Sequence, residues 1–390
     1  MKNVPEDQLE LLSPIRIRSH DSNSELPKLQ NQEYLETLRE LILDPPKENI
    51  AGKYRVLTLD GGGVKGTAIL SSLAVIEKIT DKPIAKLFDC IAGTSIGGVI
   101  AALLTLPSET DPDKPRYSAA ELINMLGQVL SDVFPTDCSS TLRKFANLFC
   151  CCLNVSKYSP DGIETLFDQY FNQETLSSTI IPIMITAVGP SNTVKIFSSY
   201  DPETKNYNLP DILRATSAAP TYFPPARING LDYIDGGVLA NNPSNIAVRT
   251  IKTFTEIPDK NISLFYINLD KARESFIIPP NNLLSFYDKA SLERFVDGAE
   301  KEATANVKNR IGAENFYEFK IHIETQYAVM DNVARDNIRQ LKEIGHSACY
   351  EKNNQVTLSN FFPGYTWSEE IESEEVESSL LLGNVELIDN

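Results

Sequence analysis

The sequence predicts an α/β protein, a central sheet with helices on both faces, and three observations carry that prediction. Strand-like and helix-like segments alternate from about residue 54 onward. A glycine-rich loop, Asp60-Gly61-Gly62-Gly63-Val64-Lys65-Gly66, separates the first strand from the first helix. A serine between glycines, in Gly93-Thr94-Ser95-Ile96-Gly97, separates the apolar run 87–92 from the apolar run 99–104. Repeated strand–turn–helix units build open sheets covered by helices.

Taken in order, the polar stretch 1–50 reads as a leader, with a short helix over 34–43 that stops at Asp44-Pro45-Pro46. Residues 54–59 (YRVLTL) read as a buried strand, and 68–79 carry apolar residues at helical spacing. A second strand is expected near 88–92, followed by a helix to about 106. Further helices are expected at 119–133, 160–170 and 210–216, and further strands at 180–188, 194–198 and 262–269. The organisation predicted is a catalytic domain at 51–270, a helical extension packed on it at 271–362, and an acidic tail at 363–390. Within the extension, helices are expected at 292–308 and 330–343, and the alternation Phe319-Lys320-Ile321-His322-Ile323 looks like a strand.

Bulk properties narrow the function. At 390 residues and 42% hydrophobic, the chain can bury a substantial core, yet no apolar run approaches the roughly 20 residues of a membrane span. The first 30 residues lack the apolar segment of a signal peptide, so a cytoplasmic protein is expected, or one exported to a host cell by a route without such a signal. A net charge of −17 argues against nucleic acid and against general attraction to anionic lipid. Membrane contact would then need a local patch. One is available in Leu142-Arg143-Lys144-Phe145-Ala146-Asn147-Leu148-Phe149-Cys150, which reads either as a lipid-engaging lid or as a core-packing helix with a solvated edge. The six cysteines include the adjacent trio Cys150, Cys151 and Cys152, but no Cys-x-x-Cys, so no zinc or redox site is suggested. No Lys or Arg follows Lys352, and the Glu-rich end reads as a solvated tail.

Chemistry concentrates in three places. Strand, Gly-x-Ser-x-Gly and helix together make a nucleophile elbow, where a sharp turn exposes a serine hydroxyl and Gly93, Thr94, Ile96 and Gly97 shape the turn. The glycine loop literally fits a dinucleotide fingerprint, Gly61-x-Gly63-x-x-Gly66. That reading needs an acidic residue at the end of the second strand, where Ala92-Gly93-Thr94-Ser95 stands instead. Two readings remain, an oxyanion hole of backbone amides at a helix N-terminus or a tight turn without a ligand. For the base, only His20, His322 and His346 exist, none in an obvious strand-end loop. Asp235, in Tyr233-Ile234-Asp235-Gly236-Gly237, is the stronger candidate, although Asp-Gly is also an ordinary turn cap. With a pKa of about 3.9 an ordinary aspartate is a poor base for an alcohol, so burial would have to raise it.

In this order, the elements at 60–66, 93–98 and 235–237 resemble those of the patatin-like phospholipases. Lys157-Tyr158-Ser159-Pro160-Asp161-Gly162 and the stretch 215–225 are similar to that family too. The resemblance covers roughly residues 53–270 and implies a three-layer α/β/α fold with a mostly parallel sheet. It also implies a lipid acyl hydrolase of phospholipase A type that works without calcium or any cofactor. Ser95 would be the nucleophile and Asp235 the base of a Ser-Asp dyad, with Gly236 and Gly237 completing its turn. Gly61, Gly62, Gly63, Lys65 and Gly66 would form the oxyanion loop, Lys65 standing where arginine is frequent. The implied partners are an acyl-ester lipid and, transiently, a membrane surface, with room for a protein or small-molecule activator. The acidic tail resembles export signals of some type IV secretion effectors. Two other functions compete, a catalytically silent lipid-binding scaffold and a dinucleotide-binding oxidoreductase.

Overall fold

The strand Tyr54–Leu59 (β1) shows how this sequence divides its side chains between two layers. Val56 faces one core while Leu57 and Leu59 face the other, the period-2 alternation of a strand buried on both sides. The computed structural model describes residues 52–135, 156–271 and 289–367. Accordingly the expected leader, His20, the Arg143–Phe149 patch, the cysteine trio and residues 368–390 of the acidic tail lie outside the described residues.

After β1 the chain forms α1 (Gly66–Thr80), α2 (Ile84–Leu87), β2 (Cys90–Thr94), α3 (Ile96–Thr105), α4 (Ala119–Val133) and α5 (Asp161–Phe171). β3 (Ile183–Val188), β4 (Val194–Ser198), α6 (Leu209–Thr216), β5 (Ala226–Ile228) and β6 (Leu231–Asp235) follow. Next come α7 (Gly237–Ala240), α8 (Ser244–Phe254), β7 (Ile262–Lys271), α9 (Lys289–Ile311), β8 (Phe316–Ile323), α10 (Arg335–Ala348) and α11 (Lys352–Phe361). Local chemistry sets several ends. Ser118 and Glu121 form a reciprocal capping box at the start of α4, and Pro210 sits in the first turn of α6, where its missing N–H costs nothing.

The strands form one sheet in the order β5-β6-β3-β2-β1-β7-β8, with β4 also pairing β3. β3, β2, β1, β7 and β8 run parallel, β4 and β6 pair antiparallel with β3, and β5 pairs antiparallel with β6. α8 and α9 cover one face, packing Val248, Ile251 and Val307 on Val56, Leu264 and Tyr266. The other face carries the larger core with α1 and α4. The predicted α/β architecture with a mostly parallel sheet is therefore present.

The strand expected around 319–323 is present as β8, which pairs in parallel with residues 264–271 of β7. Two details differ from the sequence expectation. The helix expected over 330–343 begins five residues later, at Arg335, because Met330 and its neighbours are spent on other contacts described below. Gly345, which resembles a helix end in sequence, lies inside α10. A Cβ there would overlap the Ala68 carbonyl of α1, so this glycine serves a close helix crossing, tied by Ser72 Oγ donating to Gly345 O at 2.6 Å.

Candidate active site

Sheet register brings two residues together that are 140 positions apart. Leu59 of β1 pairs with Gly93 of β2, so the glycine loop and the serine turn leave adjacent strand ends. Thr94 pairs with Thr186 of β3, and the next residue of β3, Ala187, pairs with Asp235 at the end of β6. Ser95 and Asp235 thus emerge side by side above the carboxyl ends of the parallel strands, where open α/β sheets bind ligands.

Ser95 has φ 54° and ψ −126°, a conformation costly for any residue with a Cβ. Its surroundings enforce it. A Cβ on Gly93 would overlap the Gly97 carbonyl, and a Cβ on Gly97 would lie 2.6 Å from Leu59 O. Thr216 Oγ1 accepts the Ser95 N–H at 2.8 Å and donates to Thr186 O at 2.6 Å, pinning the turn to the sheet. Thr94 Oγ1 donates to Ala240 O at 2.8 Å. Gly93→Ala is expected to cost at least about 3 kcal/mol of stability, because the clash is with backbone that cannot rotate away. A urea unfolding curve of the variant checks this.

Ser95 Oγ donates to Asp235 Oδ2 at 2.7 Å. The other carboxylate oxygen accepts the Gly237 N–H at 2.7 Å, which uses the Asp-Gly-Gly turn to orient the acid. Gly236 permits that turn by close approach, since a Cβ there would lie 2.6 Å from Thr186 O. Both side chains are buried, Ser95 at 7% and Asp235 at 4% exposure. Burial pushes Asp235 up from 3.8 to about 6, against the Gly237 amide and the Ser95 hydroxyl, which pull it down. A carboxylate near 6 is a far better base than one near 4 and is still ionised at neutral pH.

The glycine loop faces this pair. Gly61 lies so close that a Cβ would be 3.0 Å from Ser95 Cβ and 2.7 Å from Asn241 Oδ1. Gly63 has φ 60°, in the left-handed region that glycine adopts freely. Asp60 anchors the loop to β7, accepting the Tyr266 hydroxyl at 2.9 Å and the Leu269 N–H at 3.1 Å. Gly66 lets α1 start against Ile96 of α3. The amides of the last loop residues turn inward. Val64 donates to Met330 O at 2.9 Å, Lys65 to Gly62 O at 3.4 Å, and Gly66 to Gly63 O and Val64 O. Lys65 and Gly66, expected in the hole, therefore shape the loop rather than present amides from it. The Lys65 side chain is buried and folds back, its Cε 2.9 Å from where a Gly62 Cβ would be.

Neither histidine among the described residues lies at this site. His322 lies on β8, its Nδ1 3.6 Å from Asp270 Oδ2, and His346 of α10 packs its ring against Tyr350. Sequence reasoning missed Thr216 as the anchor of the elbow, and missed Met330 altogether.

Ser95, Gly63 and Met330 line one cavity. Its walls are apolar stripes on three helices: Ile96, Val99, Ile100 and Leu103 of α3; Leu122, Leu126 and Val133 of α4; Ile163, Phe167 and Phe171 of α5. Spacings of three and four place each stripe on one helix face. Tyr170 also lines the cavity, and its carbonyl accepts from Arg116 Nη1 at 3.5 Å, Arg116 itself pairing with Glu174.

The elbow serine, the buried acid, the glycine loop and the apolar slot thus meet at one end of the parallel strands. Residues 57–248 match the family model "Patatin-like phospholipase", and this part of the chain belongs to that family. Patatin-like protein 1 of Arabidopsis thaliana is 33% identical over 222 residues, 50% of this chain and 51% of that protein. The cGAMP-activated phospholipase of Escherichia coli strain TW11681 is 32% identical over 250 residues, 59% of this chain and 65% of that protein. The chain spans about half the length of the first curated relatives it matches. Among solved structures, VipD from Legionella pneumophila aligns with 83% of this chain and 73% of its own at 13% identity and a TM-score of 0.40, too loose a likeness to bear on the site. Among the described residues no helix is long and apolar enough to cross a membrane.

Proposed function

We propose that the chain is a phospholipase A-type acyl hydrolase that uses Ser95 and Asp235 as a catalytic dyad. The observation that carries this reading is the 2.7 Å hydrogen bond from the hydroxyl of Ser95, which lines an apolar slot, to a buried carboxylate. Asp235 takes the Ser95 proton as Oγ attacks the ester carbonyl. The Gly62 and Gly63 amides, beside the N-terminus of α1, hold the tetrahedral oxyanion. Collapse breaks the bond to the leaving alcohol, which takes the proton from Asp235. Water then attacks the acyl-serine with Asp235 again as base, releasing the fatty acid and restoring Ser95. No step draws on a metal or organic cofactor.

The slot is read as the acyl-chain site, and a phospholipid presented at a membrane surface as the substrate. Relatives named as cGAMP-activated phospholipases support including a small-molecule activator in this reading. Release of fatty acid from phosphatidylcholine and phosphatidylglycerol vesicles, with Ser95→Ala as control, tests it directly.

The slot makes its own prediction. From Ile96 to Leu103 is seven residues, or about 10 Å of helix, the extended length of about eight methylenes. Leu103→Trp is expected to obstruct the slot at that depth. Hydrolysis of a butyrate ester should stay within about threefold of the native rate, and hydrolysis of an oleate ester should fall at least about tenfold, since overpacked apolar sites reject added volume. Comparing kcat/KM for the two esters decides; an equal loss on both argues against acyl binding along α3.

A further inference from the structure

The glycine loop is braced from a part of the chain beyond the family-matched region. Between the short turn Thr325–Tyr327 and the start of α10 at Arg335, residues 328–334 run without regular structure. Met330 lies against the loop. Its carbonyl accepts the Val64 N–H at 2.9 Å and occupies the space a Cβ on Gly63 would need. Met330 also lines the cavity together with Ser95 and Gly63.

The next residue is what holds this contact. Asp331 Oδ2 pairs with the Lys157 ammonium and accepts the Tyr158 hydroxyl at 2.6 Å. Its side chain is only 7% exposed. Lys157 and Tyr158 are themselves fixed, their amides donating to Thr221 O at 2.8 Å and Tyr222 O at 2.9 Å. Tyr222 lines the same cavity. Asn332 secures the other end, its carbonyl accepting from Asn337 Nδ2 at 2.7 Å. A bare strap on the surface would open readily. A charge-assisted hydrogen bond to a largely buried carboxylate is among the stronger ways to prevent that.

We propose that the Met330–Asp331 strap is a positioning device: latched by Lys157 and Tyr158, it holds the glycine loop in the shape that aims the Gly62 and Gly63 amides at the reacting carbonyl. Asp331 touches no substrate and acts through Met330 O and Val64. The inference rests on the proposed acyl hydrolase reading for its catalytic consequence, and on the hydrogen bonds alone for its structural one. An oxyanion donor that is present but misaimed forfeits much of the roughly 100- to 1,000-fold that one such donor contributes.

The test uses the full chain with Asp331→Ala and Asp331→Asn, the latter keeping an acceptor for Tyr158. Two quantities are measured well below each variant's melting temperature: steady-state hydrolysis of a soluble ester, and amide hydrogen exchange in peptides covering residues 60–66. Asp331→Ala is expected to lower kcat about 10- to 100-fold with KM within about twofold, because the loop acts on the transition state more than on binding. Asp331→Asn should fall between Ala and native. Exchange over 60–66 should accelerate in Ala while peptides from β1 and β2 stay protected. Unchanged exchange in that loop overturns the strap, and so does faster exchange with an unchanged kcat or with a rise in KM alone. Absence of any hydrolysis by the native chain would instead count against the acyl hydrolase reading, and the exchange measurement would still judge the brace.

Discussion

Replacing Ser95 by alanine is expected to reduce fatty-acid release at least about a thousandfold while leaving a folded protein. Loss of the nucleophile removes the covalent route entirely, and comparable serine hydrolases lose far more when theirs is deleted. The hydroxyl itself contributes little to the fold. The turn is held by the Ser95 N–H bonded to Thr216 Oγ1 at 2.8 Å and by the Gly98 N–H bonded to Ser95 O at 2.9 Å, backbone contacts that alanine keeps. Alanine also carries the same Cβ into the φ 54° conformation, so no new strain is introduced. Fatty-acid release and a thermal melt on one preparation check both halves of this expectation.

Asp235→Asn is expected to move activity and stability in opposite directions. The amide cannot accept the Ser95 proton, so turnover should fall by about two to four orders of magnitude, the usual worth of a general base. Stability should rise at neutral pH. Asp235 titrates near 6 in the fold, raised by burial, against about 3.9 in an unfolded chain. Between those values the folded state binds a proton that the unfolded state has released. The stabilisation is therefore complete below the unfolded value and is lost as pH rises through about 6. Above that, ionised Asp235 costs the fold about 3 kcal/mol, from about two pKa units at 1.36 kcal/mol each. Asparagine removes this cost, so the variant should gain about 2–3 kcal/mol at pH 7.5 and little at pH 4. Urea unfolding at both pH values measures the difference. Native kcat should follow the same group with the opposite benefit, rising with pH through about 6 and then levelling as Asp235 ionises.

The parts of the site that were legible in the sequence are those written in local chemistry. Gly-x-Ser-x-Gly between two apolar runs is a turn whose backbone only small neighbours allow, and the structure shows the overlap that a side chain at Gly93 would create. Asp235 stood out because glycines follow it, and the Gly237 amide does orient its carboxylate. Their meeting was not legible from spacing. It depends on Thr94 facing Thr186 and on Ala187 facing Asp235, a register set by three strands. The Asp60-Gly-Gly-Gly loop was legible as a close backbone approach, but not which amides remain open, because Lys65 and Gly66 turn theirs inward.

Met330 shows why the rest was hidden. Met330, Val333, Ile338 and Leu341 keep near-helical spacing, so the periodicity predicts a helix from 330. The chain instead uses Met330 O to hold Val64, Met330 also lines the cavity, and the helix starts only at Arg335. A tertiary contact across more than 260 residues overrides a local signal of that strength. Gly345 misleads in the same way, since a glycine for close helix crossing and a glycine for helix termination are the same letter.

The central claim is that Ser95 is an activated nucleophile. Treating the full chain with a fluorophosphonate and mapping the adduct by peptide mass spectrometry tests it most directly. The account predicts a single phosphonyl adduct on the peptide containing Ser95, with loss of hydrolysis in step with labelling and no adduct in Ser95→Ala. An unlabelled Ser95 in protein that still releases fatty acid, or inactivation that maps to another residue, would contradict it.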